Sequence, residues 1–206
     1  MFEVEIRGRL KNFEDTLKKF KSKAKFIEEK DRFSLVYFRN TFQHEGDVRE
    51  VKDDPVDLRV RVTNKKAEII MKYGKWGGSD KRKEISIPIS LDKFEDSVDL
   101  LKCLDWYKGV VIATKTFVFD YKGIEFALVK NKDYNYFEAE KLAKSNQDLD
   151  KISQQIKEVC REFNLEPFDE EDFMDQINKI NNSKENQFDF SKQDFRTIKS
   201  KFGEFF

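Results

Sequence analysis

Histidine occurs once in these 206 residues, cysteine twice, and neither sign of charge is in excess. Each shortage removes a class of chemistry. Lys plus Arg equals Asp plus Glu at 40 each, so no bulk positive field drives nonspecific nucleic-acid binding, and an anion site requires local concentration of basic side chains. His44 has no Ser, Cys or second His near it to build a nucleophile and base pair, and it reads as a loop residue. Cys103 and Cys160 lie far apart in helical contexts without metal-ligand spacing, which makes them free thiols. No apolar run approaches the ~20 residues of a membrane span, and the first residues enter a strand pattern instead of a leader's charge and apolar core. The expected setting is cytoplasmic and reducing, with neither membrane nor nucleic acid as partner. The stretch Gly74-Lys75-Trp76-Gly77-Gly78-Ser79 lacks the Lys-Ser/Thr ending of a nucleotide P-loop and reads as a hairpin turn.

What the chain does have is charge, at 39% of residues, together with 21 phenylalanines. That combination belongs to a folded protein with a strongly polar surface. Its most informative stretch is the first, Phe2-Glu3-Val4-Glu5-Ile6-Arg7-Gly8-Arg9, where apolar and charged residues alternate with period two. Such a strand has one apolar face and one carrying Glu3, Glu5, Arg7 and Arg9. Two carboxylates one residue apart project in parallel, about 7 Å from each other by strand rise, and can hold a hard divalent cation. Val56 to Val62 repeats the pattern with basic residues, Arg59 and Arg61. A turn at Asn64-Lys65 leads into Ala67 to Tyr73, which carries Lys72, and Arg82 to Pro88 alternates Arg82, Glu84 and Ser86 with Lys83, Ile85 and Ile87. Tyr134 to Leu142 closes the β region with a second acidic couplet, Glu138 and Glu140.

Between these lie further elements. Asn12 to Ala24 is an amphipathic helix capped by Asn12, Arg32 to Arg39 a nearly apolar strand, and Asn40 to Pro55 a long polar excursion. Leu91 to Leu104 is helical in period, Val110 to Phe119 and Gly123 to Lys130 are strands, and Asp148 to Phe163 is an amphipathic helix. Asp169 to Ile180 and Ser191 to Phe202 are helical candidates on either side of an Asn-rich joint. Eight strands in antiparallel succession, with helices after the first and fifth, predict an α+β fold with a sheet closed or nearly closed on itself. The helices cover the apolar strand faces, so the charged faces turn inward. Glu3, Glu5, Glu84, Glu138 and Glu140 would then share a cavity with Arg7, Arg9, Arg59, Arg61, Lys72, Arg82 and Lys115. Neither set is tolerable there alone. A divalent metal among the carboxylates and a polyanion on the basic groups would satisfy both.

In order and approximate spacing, Glu3-x-Glu5-x-Arg7, Arg59-x-Arg61, Lys72, Arg82-x-Glu84 and Glu138-x-Glu140 resemble the CYTH family of triphosphate tunnel metalloenzymes, which includes class IV adenylyl cyclases, thiamine triphosphatases and inorganic triphosphatases. The resemblance spans residues 1–163, expected to be the tunnel domain, and leaves 164–206 as a helical extension. It implies an eight-stranded antiparallel barrel that binds a triphosphate such as tripolyphosphate, ATP or thiamine triphosphate, with Mg²⁺ or Mn²⁺ on Glu3, Glu5, Glu138 and Glu140. Glu5, Glu138 and Glu140 would then be catalytic, and Arg7, Arg9, Arg59, Arg61, Lys72, Arg82 and Lys115 would bind substrate. A homodimer is compatible with it. Three departures stand out. Arg7 replaces the family's Lys, and a guanidinium cannot exchange protons. No acidic residue appears in Leu35-Val36-Tyr37-Phe38-Arg39, and the usual Leu-Asp before the closing couplet falls on Ala127-Leu128 or Leu128-Val129. Glu125 or Asp133 could supply that ligand in another register. Metal-dependent hydrolysis is favoured, while cyclisation of ATP and non-catalytic binding of triphosphate or polyphosphate stay open.

Overall fold

The computed structural model describes residues 2–38, 56–73, 83–132, 134–143 and 148–206. Its elements run β1 (Phe2–Arg9), α1 (Phe13–Lys23), β2 (Lys25–Phe38), β3 (Val56–Thr63), β4 (Lys66–Tyr73), β5 (Lys83–Ile89), α2 (Phe94–Cys103) and β6 (Lys108–Tyr121). There follow β7 (Ile124–Lys130), β8 (Asn135–Ala143), α3 (Leu149–Glu162), β9 (Glu166–Pro167), α4 (Glu170–Asn182), β10 (Gln187–Asp189) and α5 (Phe195–Lys199). They form two compact units, Met1–Lys30 with Thr114–Phe173, and Asp31–Ala113 with Met174–Phe206. The long strands β2 and β6 contribute residues to both.

In the first unit the strand order is β2-β6-β7-β8-β1-β9. Asn12 caps α1 as expected, its side chain accepting from the Asp15 N–H. Phe13, Leu17 and Phe20 of α1 and Ile152, Ile156 and Val159 of α3 are buried against one sheet face with Val4, Phe126, Phe137 and Ala139. The helices therefore cover the apolar faces, as the sequence predicts. Gly8 is required here, since a Cβ would lie 2.1 Å from the Glu166 carbonyl oxygen and 2.4 Å from the Phe137 ring.

In the second unit the order is β5-β4-β3-β2-β6, with β10 on β6. The predicted hairpin turn at Asn64-Lys65 forms with positive φ at both residues, 48° and 64°, as a tight two-residue connection demands. Phe33, Leu35, Tyr37, Leu58, Val60 and Val62 line a core. Helices α2 and α5 cover it through Phe94, Val98, Phe195 and Ile198. Gly109 allows β6 to approach β2, because a Cβ would come within 2.0 Å of the Val36 carbonyl oxygen.

The expected eight-stranded barrel is not found. Ten strands are present among the described residues and the sheet is not closed. Among those residues β5 is paired on one side only, and Pro88 on it has no N–H to give a further ladder. The two additional strands are the short β9 and β10, and the latter takes the joint expected before the last helix, leaving α5 only five residues long. Strand β2 starts seven residues earlier than expected because its first part, through Glu28, Glu29 and Lys30, is mostly exposed and lacks alternation. His44, Arg82, Asp133, the excursion before Pro55 and the Gly74–Ser79 turn lie outside the described residues.

Candidate functional site

In the first unit, the register of β1 and β8 sets the charged face. Val4 and Ile6 pack into the core with Phe137 and Ala139, and a slip by one residue would exchange the faces. The register pairs Glu5 with Glu140 and Arg7 with Glu138. Arg7 Nε lies 2.9 Å from Glu5 Oε1 and 3.1 Å from Glu138 Oε1. One guanidinium thus bridges the two acidic couplets. Burial works to lower its pKa, but the carboxylates of Glu138 and Glu5 outweigh this and the net shift is upward. Its guanidinium carbon lies over the Phe173 ring, 5.5 Å from the centroid, and the Phe168 N–H donates to the Arg7 carbonyl at 2.8 Å.

The same ladder brings in residues to which the motifs gave little or no weight. Glu140 also faces Glu125 on β7, and Glu125 faces Asp120 on β6. Asp120, Glu125, Glu140 and Glu5 therefore form one cross-strand row, an arrangement that like-charge repulsion disfavours on a sheet. Leu128 and Val129, where the resemblance implies an aspartate, are 0% and 3% exposed. Leu128 belongs to the core cluster, and the acidic position on β7 is Glu125. Glu3 is placed by its backbone alone, opposite Leu142.

A hard divalent cation suits this donor set, which offers only carboxylate oxygens on adjoining strands. As the side chains stand, Arg7 takes the part of that cation. Among the described residues no three His, Cys, Asp or Glu side chains converge in ligating geometry.

The other two expected phosphate ligands in this unit, Lys115 and Arg9, have different surroundings. Lys115 pairs with Glu29 at 2.7 Å, and its neighbours by alternation, Phe117 and Phe119, belong to the helix-covered face. It therefore lies on the opposite side of the sheet from Arg7, because uninterrupted pairing from Lys115 to Tyr121 leaves no bulge to reverse the parity. Arg9 is exposed at the strand end and lines a cleft of about 270 Å³ with Lys11, Asn12, Phe163 and Glu166.

In the second unit, Arg59, Arg61 and Lys72 share one strand face, and each has an acidic partner. Arg59 binds Asp57, Arg61 binds Glu68 at 2.8 Å, and Lys72 binds Glu84 at 2.9 Å. Ser86 donates to the other Glu68 oxygen at 2.6 Å. Burial pushes the Glu68 carboxyl up, but the bonds from Ser86 and Arg61 and the charges of Arg61 and Arg32 hold it below the usual carboxylate range. Asp57 and Glu68 were legible in principle, since Arg61 and Glu68 stand equidistant from the Asn64-Lys65 turn, and Asp57 shares strand parity with Arg59.

No protein-family model matches this chain. No curated protein matches it either. Solved structures do. PH1819 of Pyrococcus horikoshii is 19% identical with a TM-score of 0.65, over 85% of this chain and 98% of that one. A protein of Vibrio parahaemolyticus provisionally described as an adenylate cyclase is 16% identical with a TM-score of 0.59, over 80% and 90%. HpAC1 of Hippeastrum, described as having a dominant triphosphatase activity, is 12% identical with a TM-score of 0.56, over 81% and 89%. Likeness at these identities concerns the backbone alone, and it gives the chain the CYTH fold that the resemblance implied, with the sheet not closed and ten strands among the described residues.

Proposed function

We propose that this protein hydrolyses a triphosphate-containing small molecule in a metal-dependent reaction. The observation that carries the reading is Arg7 held between Glu5 and Glu138 on paired strands. It joins a phosphate-binding group and two carboxylates in one cluster. Within the first unit Arg7 is the phosphate ligand, and in the second Arg59, Arg61 and Lys72 are the basic groups, Arg59 and Arg61 steadied by carboxylates that orient their forks. Glu3, Glu5, Glu138 and Glu140 would hold Mg²⁺ or Mn²⁺, with Glu125 added from the observed register. When bound, such an ion neutralises phosphate charge and lowers the pKa of water. Arg7, always protonated, orients and stabilises the phosphate and leaves proton removal to a carboxylate. The described activity of HpAC1 supports hydrolysis.

A second reading, binding without turnover, is favoured by the apolar Leu128 and Val129 where the family has an aspartate. Incubation of the protein with tripolyphosphate, ATP and thiamine triphosphate under Mg²⁺ and Mn²⁺ tests both. Separation of the products should show phosphate release that Glu5→Gln abolishes. Pyrophosphate with cyclic AMP would mean cyclisation instead. Tight tripolyphosphate binding with no product would leave a binder, and Val129→Asp, on the same strand face as Glu125, should then restore turnover.

A further inference from the structure

We propose that Arg7 is an exchangeable internal cation, which a divalent metal displaces from Glu5 and Glu138 and which is thereby released to take a phosphate. This rests on the reading of those glutamates as metal ligands. The geometry sets the two cations in competition. Arg7 Nε sits 2.9 and 3.1 Å from the two carboxylates, and charge so placed in a cluster only a third exposed repels any further cation on the same oxygens. A metal and this guanidinium therefore compete for Glu5 and Glu138. The displaced guanidinium has somewhere to remain, since the Phe173 ring lies 5.5 Å from it and the Phe168 N–H fixes its main chain. Its five donors are then available to an anion. Metal and phosphate binding become linked, each ligand favouring the arrangement the other needs.

The linkage makes a counterintuitive prediction. Mn²⁺ titrations of the full chain, read by the electron paramagnetic resonance of the free ion, should show Arg7→Gln binding Mn²⁺ alone about tenfold more tightly than wild type, the equivalent of ~1.4 kcal/mol. With saturating tripolyphosphate the order should reverse. Lys141→Gln is the control, because it removes one charge beside Glu140 from a side chain directed at Gln155 of α3. It should change Mn²⁺ affinity far less. Should Arg7→Gln fail to fold, the wild type carries the test through its arginine Nε–H resonances. Mg²⁺ should shift one of these and quicken its solvent exchange, and tripolyphosphate added next should slow that exchange again. Equal Mn²⁺ affinity in wild type and Arg7→Gln, or no Mg²⁺ response at any arginine, overturns the exchange while leaving the site in place. If neither protein binds Mn²⁺ or tripolyphosphate, the metal-site reading itself falls, and the exchange with it.

Discussion

Arg59 grips Asp57 with two parallel bonds, Nε to Oδ1 at 2.7 Å and Nη2 to Oδ2 at 2.6 Å, and the carboxylate it holds is 1% exposed. The two ends of this pair are unequal. The guanidinium keeps 24% exposure and can rehydrate if its partner is lost, whereas the carboxylate cannot. Arg59→Met should therefore destabilise the chain by about 3 kcal/mol, the scale of removing one partner from a buried ion pair. Asp57→Asn should cost only ~1 kcal/mol. Urea unfolding of both variants checks the order, and a larger loss in Asp57→Asn would contradict it.

Glu68 makes stability depend on acid. Its folded pKa lies below the unfolded value, near 4.3 for a free glutamate, so its contribution is present above that value and is lost as pH falls through the folded pKa. Thermal midpoints of wild type and Glu68→Gln, followed from pH 7 downward, should differ most near neutrality and converge in acid. A constant gap would show that the carboxylate's charge is not what Arg61 and Ser86 stabilise.

Gly8 ties the segment after α3 to β1. A methyl group there meets a backbone oxygen at 2.1 Å, which cannot yield as a flexible side chain can. Gly8→Ala should cost about 2 kcal/mol or more. It should also quicken amide exchange at Phe168, which bonds the Arg7 carbonyl. Unaltered exchange at that amide would mean the strap does not depend on the close approach.

The two thiols should separate cleanly. Cys103 is exposed, while Cys160 is wholly buried and its thiol is pushed up to about 12 by burial. Since the thiolate is the reactive form, a disulfide reagent at pH 8 should modify one thiol in the native protein. The second should react only at the rate of unfolding. Rapid reaction of both would place Cys160 outside the core.

Face parity was legible in the chain because it is local. Val4 and Ile6 against Glu5 and Arg7, or Leu58 and Val60 against Arg59 and Arg61, follow from period-two alternation alone, and the helices that cover the apolar sides follow from Phe13, Leu17 and Phe20 at helical spacing. The cap at Asn12 and the turn at Asn64-Lys65 were equally local. Pairing is a different matter. Only the assembled sheet decided that Arg7 stands opposite Glu138, that Glu125 joins the row of Glu5 and Glu140, and that Lys115 faces the helices with Glu29. These depend on register between distant segments, which no local pattern carries. The one-sided pairing of β5 among the described residues and the short β10 were likewise decided by tertiary structure. Alternation states which side of a strand is apolar, but hydrogen bonding between strands far apart in sequence determines whether a sheet ends or closes.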